Sequence, residues 1–159
     1  MPHGTAALSL VPIGRKSALR QLLTEYITEF AAMEGKELAR DASGHVPYRY
    51  VDQYWLEAKR FPFGIWYDDE LVGFCLLRDT GEQWQIAEFY VVPGHRRTGV
   101  GSAAVSALKR FCRSQGRYGA LAAPTLRFNT RALAFWRSQG FVTVRETSEW
   151  LINVCQLHT

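Results

Sequence analysis

The chain is poor in sulfur, and what sulfur it has is scattered. Its three cysteines, Cys75, Cys112 and Cys155, form no Cys-x-x-Cys pair and no zinc-type Cys/His set. That excludes a disulfide framework or a zinc-type centre as an organising feature, and no metal is expected. Each thiol sits in an apolar stretch, as buried free cysteines do in a reducing compartment. No apolar run reaches membrane-spanning length. Met1-Pro2-His3-Gly4 lacks a charged segment followed by an apolar one, so no secretory leader is expected. The expected location is the cytoplasm. Lysine and arginine never gather into a long block, so the net charge of +4 suits a polyanionic small molecule as well as nucleic acid. Neither nucleic acid nor a membrane is an expected partner.

Two phosphate-binding patterns are also missing. No Gly-Lys-Ser/Thr follows a glycine loop, which excludes a Walker site. A dinucleotide fingerprint would need a third glycine and an early strand-helix-strand unit with an acidic residue about twenty positions on.

What is present is enough apolar material, 47% of 159 residues, for one core and one domain spanning 1–159. Leu8 to Ile13 reads as a first strand. Leu19, Leu22, Leu23, Tyr26, Ile27, Phe30 and Ala31 recur at helical spacing and mark an amphipathic helix ending near Gly35. A polar loop over 36–49 leads to a short helix from Val51 to Lys59. Phe63–Tyr67, Leu71–Arg78 and Trp84–Val92, separated by turn residues, form an antiparallel meander. A helix from Val100 to Gln115, a strand over Tyr118–Ala123 closed by Pro124, and a helix from Asn129 to Gln139 follow. Phe141–Glu146 and Trp150–Leu157 complete the order β-α-α-β-β-β-α-β-α-β-β. This is an α/β fold, with the Trp84 and Tyr118 strands parallel neighbours across a helical connection.

The densest signal is the junction Glu88-Phe89-Tyr90-Val91-Val92-Pro93-Gly94-His95-Arg96-Arg97-Thr98-Gly99-Val100-Gly101-Ser102. A strand stops at a proline, a basic glycine loop follows, and a helix begins. Free amides at the helix start, the helix dipole and two arginines converge there, which fits a phosphate ester. Gly99 and Gly101 let the backbone approach closely, so amides from Arg97 to Ser102 can wrap a pyrophosphate.

Arg96-x-x-Gly99-x-Gly101 after the fourth strand resembles the acyl-CoA signature of the GNAT N-acetyltransferase superfamily. Asn129-x-x-Ala132-x-x-Phe135-Trp136-x-x-x-Gly140-Phe141 resembles that family's second segment. The resemblance covers nearly the whole chain. It implies a single GNAT-like domain, a mixed, mostly antiparallel twisted sheet flanked by helices. It also implies acetyl-CoA as cosubstrate and transfer of acetyl to a primary amine of a small molecule or peptide, by direct attack in a ternary complex. Val91 and Val92 would pair their main chain with the pantetheine arm, and the Val91 amide would serve as oxyanion donor. Arg96, Arg97, Thr98, Gly99, Val100, Gly101 and Ser102 would hold the pyrophosphate. Asn129 would bond the pantetheine arm, cap its helix, or do both. Phe135 and Trp136 would pack near the thiol end. Monomer and homodimer both remain open.

Direct attack needs a neutral amine and hence a base. Alternation along Trp84–Val92 puts Trp84, Ile86, Glu88, Tyr90 and Val92 on one face, with Glu88 the one carboxylate among apolar neighbours. Burial there would raise its pKa, making Glu88 a candidate general base; the competing role is pairing with an arginine or ordering a loop. Many family members carry a tyrosine as general acid where this chain has Trp136, and indole donates no useful proton. Tyr90 and Tyr118 are the substitutes. An alternative is a non-catalytic acyl-CoA-binding regulatory module. His95 reads as a turn residue, and His45 as a weaker substrate-site candidate. The family's acceptor groove, transferred here, would include Phe30, Met33, Glu34, Tyr48, Tyr50, Tyr54 and Trp55. Of these, Glu34, Tyr50, Tyr54 and Trp55 are the acceptor-site candidates, with cation–π and charge contacts to an amine.

Overall fold

A computed structural model describes residues 4–157; Met1 to His3, on which the leader reading falls in part, lie outside it. Seven strands form one sheet: β1 (Ala6–Leu10), β2 (Arg60–Tyr67), β3 (Glu70–Asp79), β4 (Trp84–Val91), β5 (Ala120–Leu126), β6 (Val142–Glu146) and β7 (Trp150–Gln156). They lie in the order β1-β2-β3-β4-β5-β7-β6. Every pairing is antiparallel except β4 with β5. Four helices complete the mixed α/β domain: α1 (Lys16–Met33), α2 (Gln53–Leu56), α3 (Val100–Gln115) and α4 (Thr130–Ser138). No helix among the described residues is long and apolar enough to cross a membrane.

Two cores sit on opposite faces of the sheet. On one, the α3 stripe of Val105, Leu108 and Cys112 packs with Trp84, Ile86, Trp136 and Phe141. On the other, Leu19, Leu22 and Leu23 of α1 pack with Phe74, Leu76 and Tyr90. The apolar spacing of each helix thus decides which face it covers. The sequence-derived order holds, with three shifts. The first strand ends at Leu10 because Pro12 has no N–H and Ile13 starts a 3-10 turn. The helix expected over Val51–Lys59 shrinks to the single turn of α2.

The third shift concerns Pro124, which β5 runs through rather than stopping at. Arg127 N–H bonds Glu149 O at 3.0 Å, fixing the phase of the β5–β7 ladder. Odd-numbered residues of β5 therefore exchange hydrogen bonds with β7, and position 124 turns its nitrogen toward β4. β4 and β5 are paired only at Trp84–Leu121 and Gln85–Ala122. By Pro124 the strands have separated, so the missing N–H costs no ladder bond.

A second irregularity changes the face of a key side chain. The β3–β4 register slips between Leu76, opposite Glu88, and Leu77, opposite Ile86. Ala87 is the extra residue of a bulge, and alternation breaks there. Trp84 and Ile86 point into the α3 core, whereas Tyr90 belongs to the α1 core and Val92 packs against it. The single face expected for Trp84, Ile86, Glu88, Tyr90 and Val92 is therefore corrected: Glu88 lies on the α1 side of the bulge.

Candidate active site

Where β4 and β5 part, a cavity of about 780 Å³ opens. Its lips are Ile86–Val91 and Ala123–Leu126, and it runs between α1, the start of α3 and α4. One end is built from backbone. Arg97 and Gly99 have φ of 59° and 86°, left-handed values that turn successive amides toward one side. Gly99 caps α3 without a side-chain bond, and the first helical bond runs from Ala103 N–H to Gly99 O at 2.9 Å. Amides from Arg97 to Ser102 have no acceptor among the described residues. Partly positive and unpaired, they fit a phosphate or pyrophosphate.

Gly101 has a different job. A Cβ there would stand 3.2 Å from the Phe135 ring, so its lack of a side chain lets α3 approach α4. Phe135 stacks on Phe89, and Trp136 meets Phe89 edge-on with centroids 5.1 Å apart. This aromatic wall lines the middle of the cavity. Asn129 also lines it, while its side chain accepts from Ala132 N–H at 3.2 Å and caps α4. The Ser102 hydroxyl accepts from Gln139 at 2.9 Å.

Between wall and loop, β4 offers its outer edge. Val92 N–H bonds Val72 O at 2.9 Å, so it is already used within the sheet. The same ladder phase turns the N–H and C=O of Val91 away from β3 and into the gap. Arg96 does not reach toward the loop: its Nε donates to Val91 O at 2.8 Å and a terminal nitrogen pairs with Glu29 at 3.0 Å. Glu29 also receives Arg131 of α4. Burial pushes the Glu29 carboxyl up, but hydrogen bonds from Arg96 and Arg131 outweigh it and hold it below its usual range.

At the other end stands Glu88. Burial pushes its carboxyl up to about 7, opposed by the Tyr26 hydroxyl. The side chain is only partly covered, and the cavity is where it opens. Tyr48 faces the same region; burial, followed by the charge of Glu88, raises its hydroxyl far above the usual value. Tyr90 is buried, lines the cavity, and carries Arg96 over its ring at 5.4 Å. Its hydroxyl is raised too, first by burial and then by nearby glutamates.

The structure brings together Glu88, Tyr90, Val91, Arg96, Arg97, Gly99, Gly101, Ser102, Asn129, Phe135 and Trp136 around one cavity. Thr98 turns its hydroxyl to His95 O at 2.6 Å, and Val100 is buried, so these contribute main chain alone. Four acceptor candidates fall outside the lining. Glu34 is exposed beyond α1 beside Lys36, and Tyr50 is exposed between Arg49 and Arg60. Tyr54 is buried in the α1 core, and Trp55 donates its indole N–H to Val11 O at 2.8 Å. Tyr118 donates to Asp79 at 2.6 Å, away from the cavity, and His45 lies outside the lining as well. His95 does line it, with its ring 5.1 Å from that of Tyr67. Sequence reasoning overlooked Glu29 and Arg131. The signal for Glu29 was its place one turn after Tyr26 on α1, bordering the apolar stripe.

Fold and cleft together define an α/β protein whose sheet splits beside a run of unpaired amides. A model of the acetyltransferase (GNAT) family matches residues 19–141. The chain belongs to the GNAT acetyltransferase family. Solved structures share its fold at low identity. A GNAT-family acetyltransferase from Staphylococcus aureus superposes with a TM-score of 0.75 at 12% identity, covering 97% of this chain and 100% of that one. The PaiA N-acetyltransferase from Thermoplasma acidophilum, in complex with coenzyme A, gives 0.74 at 13%, covering 96% and 99%. The ribosomal-protein-S18-alanine N-acetyltransferase from Escherichia coli gives 0.70 at 14%, covering 98% and 96%. Comparison by sequence with curated proteins gave no significant match.

Proposed function

We propose that this chain is an acetyl-CoA-dependent N-acetyltransferase acting on a primary amine in a ternary complex. The observation that carries the reading is Glu88, a carboxyl raised to about 7 and opening into a cavity whose other end is an unpaired amide nest. A base of that pKa is ionised enough at neutral pH to take a proton from an ammonium or an attacking amine. The nest, the Val91 edge and the aromatic wall fit the diphosphate, amide-bearing arm and thiol end of coenzyme A, in that order along the cleft. The complex of PaiA with coenzyme A supports the same ligand class.

Acetyl-CoA supplies a thioester: the amine nitrogen bonds to its carbonyl carbon, the carbon–sulfur bond breaks, and the thiolate leaves. Glu88 accepts the amine proton, directly or through one water. The Val91 N–H, turned into the gap, donates to the oxygen on which negative charge develops. Tyr90, kept protonated by its raised pKa, returns a proton to the departing sulfur. Trp136 holds no transferable proton; buried against Phe89 and Phe141, it shapes the wall. The test is an amine panel with acetyl-CoA, read by thiol release and by mass of the acetylated product. No acetylated amine, with acetyl-CoA still raising the melting temperature, would favour the non-catalytic acyl-CoA-binding module instead.

A further inference from the structure

The charges lining the cavity restrict what kind of amine can enter. Glu29 and Glu88 are the carboxylates of the lining, with Arg49, Arg96, Arg97 and Arg131 on the other side of the balance. Glu29 is saturated by Arg96 and Arg131. One carboxylate, Glu88, is left to meet a cation. A polyamine or aminoglycoside would bring several positive charges to a site with a single partner for them, beside an arginine.

Arg49 is that arginine. It follows Tyr48 on the loop that closes the Glu88 end, and it lines the cavity. Among the described residues it makes no salt bridge and no hydrogen bond; its guanidinium rests 5.2 Å from the centroid of the Tyr50 ring. Arg60 lies at the same distance over that ring but is paired with Glu57 at 3.2 Å, which leaves Arg49 as the unpaired cation of this loop among the described residues. A guanidinium held on an aromatic face keeps its fork of donors open for a carboxylate. Phe30, Met33 and Trp150 add an apolar surface to the lining; Met33 and Trp150 stay 45% and 39% exposed with nothing yet covering them.

Resting on the acetyltransferase reading above, we infer that the acceptor is a free amino acid with an apolar side chain. Its α-amine is held at Glu88, its carboxylate at Arg49 and its side chain against the Phe30–Met33 surface. The amine nitrogen forms the amide bond, its proton passes to Glu88, and the carboxylate stays ionised throughout.

The full chain is assayed with acetyl-CoA and L-phenylalanine, L-phenylalaninamide or spermidine, with rates expressed per neutral amine and products identified by mass. The expected result is a kcat/KM for phenylalanine about tenfold or more above its amide, with spermidine lowest. Arg49→Gln is expected to bring the acid-to-amide ratio close to one, and Arg49→Lys to restore part of it. An amide equal to or better than the acid, or a preference for spermidine, overturns the amino-acid assignment while leaving the acetyltransferase reading intact. An unchanged ratio in Arg49→Gln overturns the role of Arg49. No product from these three amines where the wider panel yields one overturns the amino-acid assignment, and no product across the whole panel with acetyl-CoA still bound overturns the underlying reading itself.

Discussion

The two ends of the cavity are built from different parts of the chain. At the α3 end the groups on offer are main-chain amides, made available by left-handed backbone at Arg97 and Gly99 and by a helix start without a side-chain cap. At the Glu88 end they are side chains from β4, α1 and the loop carrying Tyr48 and Arg49. A backbone nest tolerates almost any side chain at its non-glycine positions and accepts one kind of ligand, an anion. A side-chain site changes its ligand with each substitution. Under the proposed function, one end is therefore generic for acetyl-CoA and the other specific to this chain's acceptor.

That division can be broken by substitution at either end. Glu88→Gln is expected to lower kcat by about 10²–10⁴-fold and remove the limb of the pH–rate profile near pH 7, with acetyl-CoA affinity retained. Full activity at every pH would remove Glu88 as the base. Gly101→Val should act at the opposite end. Its Cβ meets Phe135 at 3.2 Å, and the added methyls force α3 from α4. Acetyl-CoA affinity measured by calorimetry should weaken roughly tenfold or more, about 1.4 kcal/mol. A larger loss of kcat than of affinity would mean that the two ends are not separable.

Glu29 joins the ends, since it ties α1 to Arg96 near the loop and to Arg131 on α4. Glu29→Gln should raise the Michaelis constants for both substrates by a few-fold and cost about 1 kcal/mol of stability. Because its folded pKa is depressed, that stability is present above the unfolded pKa of about 4.5 and fades as pH falls through the lower folded value. Glu88 has the opposite sign. Its folded pKa is raised, so the protonated form is favoured by folding and ionisation destabilises. Stability should decline as pH rises from about 4.5 to about 7, and Glu88→Gln should flatten that decline in denaturant titrations at a series of pH values. A decline of equal size in the variant would show that other groups cause it.

Much of the donor end was legible along the chain because its parts are contiguous. Pro93, Gly99 and Gly101 punctuate a strand, a loop and a helix within a dozen residues, and backbone preferences act at that range. Asn129 and Gly140 bracket α4 for the same reason. The acceptor end was not legible. Tyr50, Tyr54 and Trp55 have the right chemistry, but α2 packs Tyr54 and Trp55 onto the α1 core and Tyr50, on the turn before it, is exposed between Arg49 and Arg60. Arg49, one position from Tyr50, lines the cavity where Tyr50 does not. The bulge at Ala87 was invisible as well, because a one-residue slip depends on what β3 offers opposite β4.

Sequence alone determined the order of elements, the strand–loop–helix with its run of free amides, and the carboxylate on the central strand. Those follow from periodicity, glycine and proline, whose physics is local. Tertiary structure decided which face Glu88 takes, that Arg96 is bound to Val91 and Glu29 instead of reaching the loop, and that Arg49 borders the cavity. Each of these depends on residues far apart in the chain meeting across the sheet. Pairing register and charge neutralisation are settled only once the strands and helices are packed.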